Sequence, residues 1–271
     1  MAFYLKRKER VGKAVRRLCA ERLQMALGRL KALDHKAVHS VRKDIKRLRA
    51  TLRLFRAGLP GDTYRKEIRT LRRAAKGLSE ARDAHIAVQA LDNLVRHSKV
   101  ALQSKPLTKA RTALEKASRK KATQFRESGL AGTVAYILRK AARRALALEF
   151  KGKGWEAIYP GLKRSYRSAR KAYQISLKDP SPENLHQWRK RVKDQSYQLR
   201  LLGPIWPDQV RAVIAELETL GDYLGEDHDL ILLNQSLAER CAAGGKGQLF
   251  TPCNDPPNSI TPSSACWPAC C

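Results

Sequence analysis

The chain has 271 residues, 43% of them apolar, and carries 55 Lys and Arg against 25 Asp and Glu, a formal charge of +30 with a pI near 10.4. That apolar content excludes a disordered polycation, and the length suffices for one large domain or two small bundles with cores of their own. The charge surplus points to polyanionic partners: nucleic acid, an acidic membrane surface or a phosphate polymer.

Apolar runs stay far below the ~18 residues that cross a bilayer, so no membrane span is expected. The opening Met-Ala-Phe-Tyr-Leu-Lys-Arg-Lys-Glu-Arg lacks the apolar segment of a secretory signal. Of six cysteines only Cys19 lies in the body of the chain, which argues against a disulfide framework and for the cytoplasm.

In chain order, periodicity predicts a first helix over 3–32, with Val11, Val15, Leu18, Leu23 or Met25, and Leu27 or Leu30 inside. Asp34 suits the cap of the next helix, placing a carboxylate at its positive end. That helix, over 38–56, is the organising stretch. Val38, Val41, Ile45, Leu48, Leu52, Phe55 and Leu59 step by three and four residues onto one face. One position on run His39, Arg42, Lys46, Arg49, Arg53 and Arg56, a rotation of about 100° around the axis. Lys43 and Arg47 widen this edge, and Asp44 is the only acid from 42 to 56. Solvated helix faces ordinarily mix signs, because like charges four apart oppose the helix. A stripe this one-sided is unfavourable unless an anion comes to it.

Gly58-Leu-Pro-Gly61 ends this helix. Residues 64–78 repeat the double stripe, with Ile68, Leu71, Ala75 and Leu78 apolar and Arg65, Arg69, Arg72 and Lys76 basic, a stripe expected to lie against that of 38–56. Helices are predicted over about 84–97, 106–127 and 130–149, the last burying Val134, Ile137, Leu138, Ala141 and Leu148. Lys151-Gly-Lys-Gly154 reads as a linker between halves 1–150 and 151–243. Helices then follow over 155–177, 183–202 and 208–224, the last with Val210, Val213, Ile214, Leu217 and Leu220 apolar and with Glu216, Glu218 and Asp222 where the first half is mostly basic.

The second half repeats the first. Residues 185–202 align without gaps to 38–55 at a shift of 186 − 39 = 147, matching His39 to His186, Arg42 to Arg189, Lys43 to Lys190, Lys46 to Lys193 and Arg53 to Arg200. Leu78-Ser-Glu-Ala-Arg-Asp83 likewise matches Leu224-Gly-Glu-Asp-His-Asp229. Past Leu237 the repeat breaks off, and from Gly244 the composition turns to Gly, Pro, Ser, Asn and Cys. Residues 244–271 read as a disordered or aberrant tail, and the second bundle as truncated.

The twice-occurring His-x-x-Arg-Lys-x-x-Lys, followed each time by Leu-x-Glu-x-x-Asp, resembles the CHAD domain, a histidine-containing α-helical family, over roughly residues 5–240. The resemblance implies an all-α fold of two pseudo-symmetric antiparallel helical bundles. It also implies a basic groove or pore between them that binds inorganic polyphosphate, in some members at polyphosphate granules. On this chain the expected polyphosphate-binding residues are His39, Arg42, Lys43, Lys46, Arg49, Arg53, His186, Arg189, Lys190, Lys193 and Arg200, with Arg69, Arg72 and Lys76 behind them. Arg offers a planar fork for two phosphate oxygens and Lys a mobile point charge. The bland alternatives are packing histidines at a bundle end and solvated cations.

His35 and His39 stand four apart, as zinc pairs do, but position 182, which corresponds to His35, is proline and no third ligand is evident. Cys253, Cys266, Cys270 and Cys271 lack paired metal-site spacing. Glu80, Asp83, Glu226 and Asp229 read as partners of the stripe cations or caps of a following helix rather than catalytic acids. No Walker-type phosphate loop is present. The expectation is a cytoplasmic binding protein without cofactor, metal or catalytic residues. Its alternative is an RNA- or DNA-binding protein, disfavoured because aromatics are only 6% and Phe55, Trp188, Tyr166 and Tyr173 fall on apolar stripes.

Overall fold

The computed structural model describes residues 3–98 and 105–243, with side chains except at 80, 81, 97, 98, 105, 106 and 240–243. Among the described residues the fold is all-α: α1 (Val11–Leu30), α2 (His35–Leu54), α3 (Gly61–Lys76), α4 (Ser79–Ser98), α5 (Lys105–Glu127), α6 (Leu130–Leu146), α7 (Tyr159–Lys178), α8 (Pro182–Leu202) and α9 (Pro207–Ala243). α1, α2 and α3 begin at 11, 35 and 61, and α7, α8 and α9 at 159, 182 and 207. The aligned histidines therefore stand at the same turn of their helices. The tail beyond 243, with four of the cysteines, lies outside the described residues.

α2 is the axis of the molecule, packed against α1, α3, α4, α7 and α8. The seven apolar residues of its stripe are all buried, none more than 6% exposed. They join Val15, Leu18, Leu23 and Leu30 of α1, Ile68 and Leu71 of α3, and Val134, Ile137, Leu138 and Ala141 of α6 in one core. Asp34 caps α2 through a bond from the Ala37 N–H to its Oδ1. Each fully buried aliphatic side chain contributes about 1.5–3 kcal/mol, and Ile158, Leu201 and Leu202 join the same core, so it also holds the start of α7 and the end of α8 to α1, α2, α3 and α6.

Asp44 is fully buried and turned toward α1. Its carboxylate accepts from Arg22 at 3.1 Å and from Arg29, with Arg47 at 3.8 Å. The one acid of α2 is thus consumed on the side away from α8. Glu67 of α3 is held likewise by both nitrogens of the Arg144 fork on α6, at 2.5 and 3.0 Å.

α7 closes on the end of α2 where Gly161 meets its backbone: a Cβ there would stand 1.8 Å from the Leu54 carbonyl oxygen. Lys151 N–H donates to the Gly58 carbonyl at 2.8 Å, tying the linker to the same end.

Several elements depart from the sequence-based expectation. α1 begins at Val11, not residue 3; residues before it run along α8, where the Leu5 N–H donates to the Leu201 carbonyl and Leu5 is buried. Of the paired choices in α1, Leu23 and Leu30 are buried, and on α3 Ala74 is buried rather than Ala75. Trp155 lies in a short 3-10 turn (Gly154–Ala157) before α7. α9 runs unbroken to Ala243, so Leu224–Asp229 lies inside a helix, and α4 already begins at Ser79. The capping role expected of Glu226 and Asp229 is therefore excluded. Val213 and Tyr166 are exposed, at 46% and 55%, because the faces of α9 and α7 that carry them turn away from their neighbours. A second, smaller core joins α4 and α5 to Leu233 of α9, so these helices pack across the two halves.

Candidate functional site

The two aligned helices meet directly. Arg53 donates to Asp194 at 2.5 Å, Gln198 Nε2 donates to the Ala50 carbonyl at 3.1 Å, and the Arg47 guanidinium lies over the Tyr197 ring at 5.8 Å. Numbers rise along α2 as they fall along α8, so the helices cross in opposite senses. Ala50 and Tyr197, which correspond in the alignment, both sit at the crossing. α4 and the second part of α9 pack beside it and bring Arg82, Asp83, His228 and Asp229 to the same place.

The electrostatics of this groove are those of crowded cations. Burial, then Arg189, Arg42, Arg82 and Lys193, push the Lys46 ammonium down to about 8. Burial and then Arg47, Arg200 and Lys193 lower Lys43. Burial, Arg191 and Arg49 lower Lys190, and burial, then Arg53, lower Arg49. Burial lowers Arg42 and Arg82 against the opposing pull of Asp83 and Asp229. Such shifts mark places where positive charge costs free energy that an incoming anion would recover.

The acids sit unevenly. Arg53 is neutralised by Asp194, Lys193 by Asp222 at 2.9 Å, and Arg200 by Glu218. Arg42 has instead a backbone partner, donating to the Ala75 carbonyl at 2.7 Å in the last turn of α3. Arg49 Nε and His186 Nδ1 are buried without a hydrogen-bond partner among the described residues.

Two glycines seat the α8 cations. A Cβ at Gly225 would lie 2.9 Å from an Arg189 guanidinium nitrogen, and one at Gly221 would lie 2.7 Å from Lys193 Cε. Spaced four apart on α9, they form a small-residue track along which side chains four apart on α8 lie.

Of the expected residues, His39, Arg42, Lys43, Lys46, Arg49, His186, Arg189, Lys190, Lys193 and Arg200 are brought to the crossing, with Arg53 at its edge in an ion pair. Arg72 borders it, close enough to act on Arg49. Lys76 instead lines a cleft of about 710 Å³ with Arg73, Lys121, Phe125 and Tyr136. Arg69 is exposed on α3, with no hydrogen bond or ion pair to α2 or α8. The basic stripe of α3 therefore meets that of α2 only at Arg72, because α3 leans on α6 as well.

Sequence reasoning passed over Arg82, Arg191, Tyr197 and His228. Arg82 and His228 occupy the same place in the twice-occurring Leu-x-Glu-x-x-Asp segment, which was a signal for both. His35, set aside as half of a metal pair, stacks on His85 with ring centroids 4.4 Å apart. Among the described residues no three His, Cys, Asp or Glu stand together as a metal site would need.

The model of the CHAD domain matches residues 12–238 of this chain. The chain belongs to the CHAD family. A search of the solved structures agrees in fold. The CHAD domain from the plant Ricinus communis superposes with a TM-score of 0.64 at 19% identity, covering 90% of this chain and 83% of that one. PptA from Streptomyces chartreusis gives a TM-score of 0.52 at 17% identity, covering 83% and 96%. No curated protein matches the chain. In this CHAD domain no helix among the described residues is long and apolar enough to cross a membrane.

Proposed function

We propose that the chain binds inorganic polyphosphate, without chemical turnover, in the groove where α2 crosses α8. The observation that carries this reading is the convergence of Arg42, Lys46 and Arg49 of α2, Arg189 and Lys190 of α8 and Arg82 of α4, where the Lys46 ammonium is pushed down to about 8 by burial and by its cationic neighbours. A linear polymer of negative charge relieves that crowding at many points and asks for no base-reading group. The family is one of polyphosphate-related proteins, which favours this polymer over others. On this reading the protein works in the cytoplasm, at or near polyphosphate granules.

The test is competition at physiological salt. Labelled long-chain polyphosphate bound to the protein is challenged with RNA, duplex DNA and short phosphates at equal phosphate concentration. Polyphosphate alone should compete well, and binding should weaken steeply with salt as counterions are released. Reversing Lys46 and Arg189 to Glu should abolish most of the binding, while reversing Arg119 and Lys120 on α5 should not. Equal displacement by nucleic acid, or equal loss from the two pairs, would replace a dedicated site with a generic cationic surface.

A further inference from the structure

We infer that polyanion binding at the α2–α8 crossing is coupled to proton uptake, with His39, His186 and His228 as the acceptors. The inference rests on the binding reading above and concerns the regulation of the same groove.

The three imidazoles occupy corresponding places. His186 faces His228 across α8 and α9, with ring centroids 4.1 Å apart, and in the first half His39 faces Arg82, the residue aligned with His228. Cations surround them. His39 has Arg82 on α4 and Lys43, Lys46 and Arg42 on its own helix. His186 has His228 on α9, Lys190 and Arg189 on its own helix, and Lys46 on α2. His228 has Arg189 and Lys190 on α8 and Lys46 on α2. Among the described residues none of the three is in an ion pair with a carboxylate. The nearby acids, Asp83 and Asp229, are directed at Arg42, Arg82 and Arg189, and burial pushes both carboxyls upward. Loss of water, and then these neighbours, hold His186 and His228 down near 4, and the same causes lower His39, whose side chain is more exposed. Beyond Arg82 stand His35 and His85, stacked on each other.

A polyanion laid along Arg42, Lys46, Arg82 and Arg189 reverses the sign of the local potential. Imidazoles kept neutral by that potential then take protons and become additional donors to phosphate oxygen. His186 Nδ1, buried and unpartnered, has a hydrogen-bonding position to fill. The other titrating groups act in the same direction. Lys46 regains full charge, and the Asp83 and Asp229 carboxyls, brought near further negative charge, hold protons more firmly. Binding therefore tightens as pH falls, by up to about tenfold per pH unit for each whole proton taken up.

The experiment is isothermal titration calorimetry of the full chain with long-chain linear polyphosphate, whose internal phosphates carry no proton in this range. It is run at pH 6.5 in two buffers of different ionisation enthalpy. The expected result is a buffer-dependent heat corresponding to uptake of about one proton or more. That uptake should fall in the variant His39→Gln, His186→Gln, His228→Gln. Imidazole C–H resonances followed through a pH titration with and without polyphosphate give a second readout that needs no variant, and all three should shift toward higher pH when the polymer is bound. Binding with no buffer dependence, or uptake undiminished in the triple variant, overturns this inference alone. Absence of any binding overturns the functional reading and this inference with it.

Discussion

Asp44→Asn removes one charge and changes almost no volume, which makes it a clean probe of how the basic face of α2 is tolerated. In the native chain the carboxylate is 0% exposed and the Arg22 side chain 5% exposed, with Arg29 and Arg47 reaching in from 37% and 20% exposed positions. The two outer arginines regain water when the acid is lost; Arg22 does not. Stranding one buried cation in this way costs about 3–5 kcal/mol. A domain of this size holds only about 5–15 kcal/mol in total. At roughly 2–4 °C per kcal/mol the midpoint should drop by about 10 °C. Thermal and urea unfolding followed by circular dichroism measure it. The double variant Asp44→Leu, Arg22→Met should recover most of the loss, because apolar groups of similar volume replace a buried pair at little cost. An Asp44→Asn protein within about 0.5 kcal/mol of the parent, the range of an ordinary surface change, would show that Arg22 is hydrated and that the acid is not the anchor of α1 on α2.

Gly225→Ala and Gly221→Ala should separate stability from binding. Alanine favours the α9 helix by up to about 1 kcal/mol, yet its Cβ displaces the Arg189 fork or the Lys193 stem. Polyphosphate affinity should fall severalfold with no loss of melting temperature; unchanged affinity would show that those side chains bind from other rotamers. The ligand-free protein should also lose stability as pH falls from 7 toward 5. His186 and His228, both partly buried, take their protons near 6.5 when unfolded but only near 4 in the folded chain, so the unfolded chain holds more protons in that window. Melting temperature against pH checks this, and saturating polyphosphate should flatten or reverse the slope.

The first half was legible because its signals were redundant. The buried stripe of α2 had seven members in strict helical spacing and Asp34 announced the helix start, both as read, while the helix stops at Leu54 and a 3-10 turn over Arg56–Gly58 leads into the expected Gly58-Leu-Pro-Gly61 break. The first helix was drawn too long because Phe3 and Leu5 carry an apolar signal that an extended segment satisfies equally well, by packing against the end of α8. The break expected near Leu224 failed for a different reason. The helix expected over 208–224 stops at the matched Leu-x-Glu-x-x-Asp segment, but Gly221 and Gly225 are tolerated inside a helix where they make room for α8 side chains. Local pattern does not tell a glycine that ends a helix from one that admits a neighbour. Within the site, residues on the repeated basic stripe were found, while Arg191 and Tyr197 beside that stripe on α8 and Arg82 and His228 on other helices were not. Arg82 and His228 enter through the packing of α4 on α9, a long-range contact that no spacing encodes.

The distribution of acids around the groove bears on how a polymer would be held. Toward the rim the cations have partners: Arg53 with Asp194, Lys193 with Asp222, Arg200 with Glu218. At the centre, Arg42, Lys46, Arg49, Arg82 and Arg189 have no hydrogen-bonded carboxylate among the described residues, and the one acid of α2 is spent on α1. Exposed ion pairs such as Lys193–Asp222 contribute at most about 1 kcal/mol, so a phosphate can displace them cheaply. Central cations have only the more distant charges of Asp83 and Asp229 beside them, so they gain a counterion without breaking an ion-pair contact. An anion therefore gains most at the centre and progressively less outward, which favours a strand that passes through the crossing over one that lies along the rim. The two aligned histidines of this chain, His39 and His186, stand in that same central stretch, among Lys46 and its cationic neighbours.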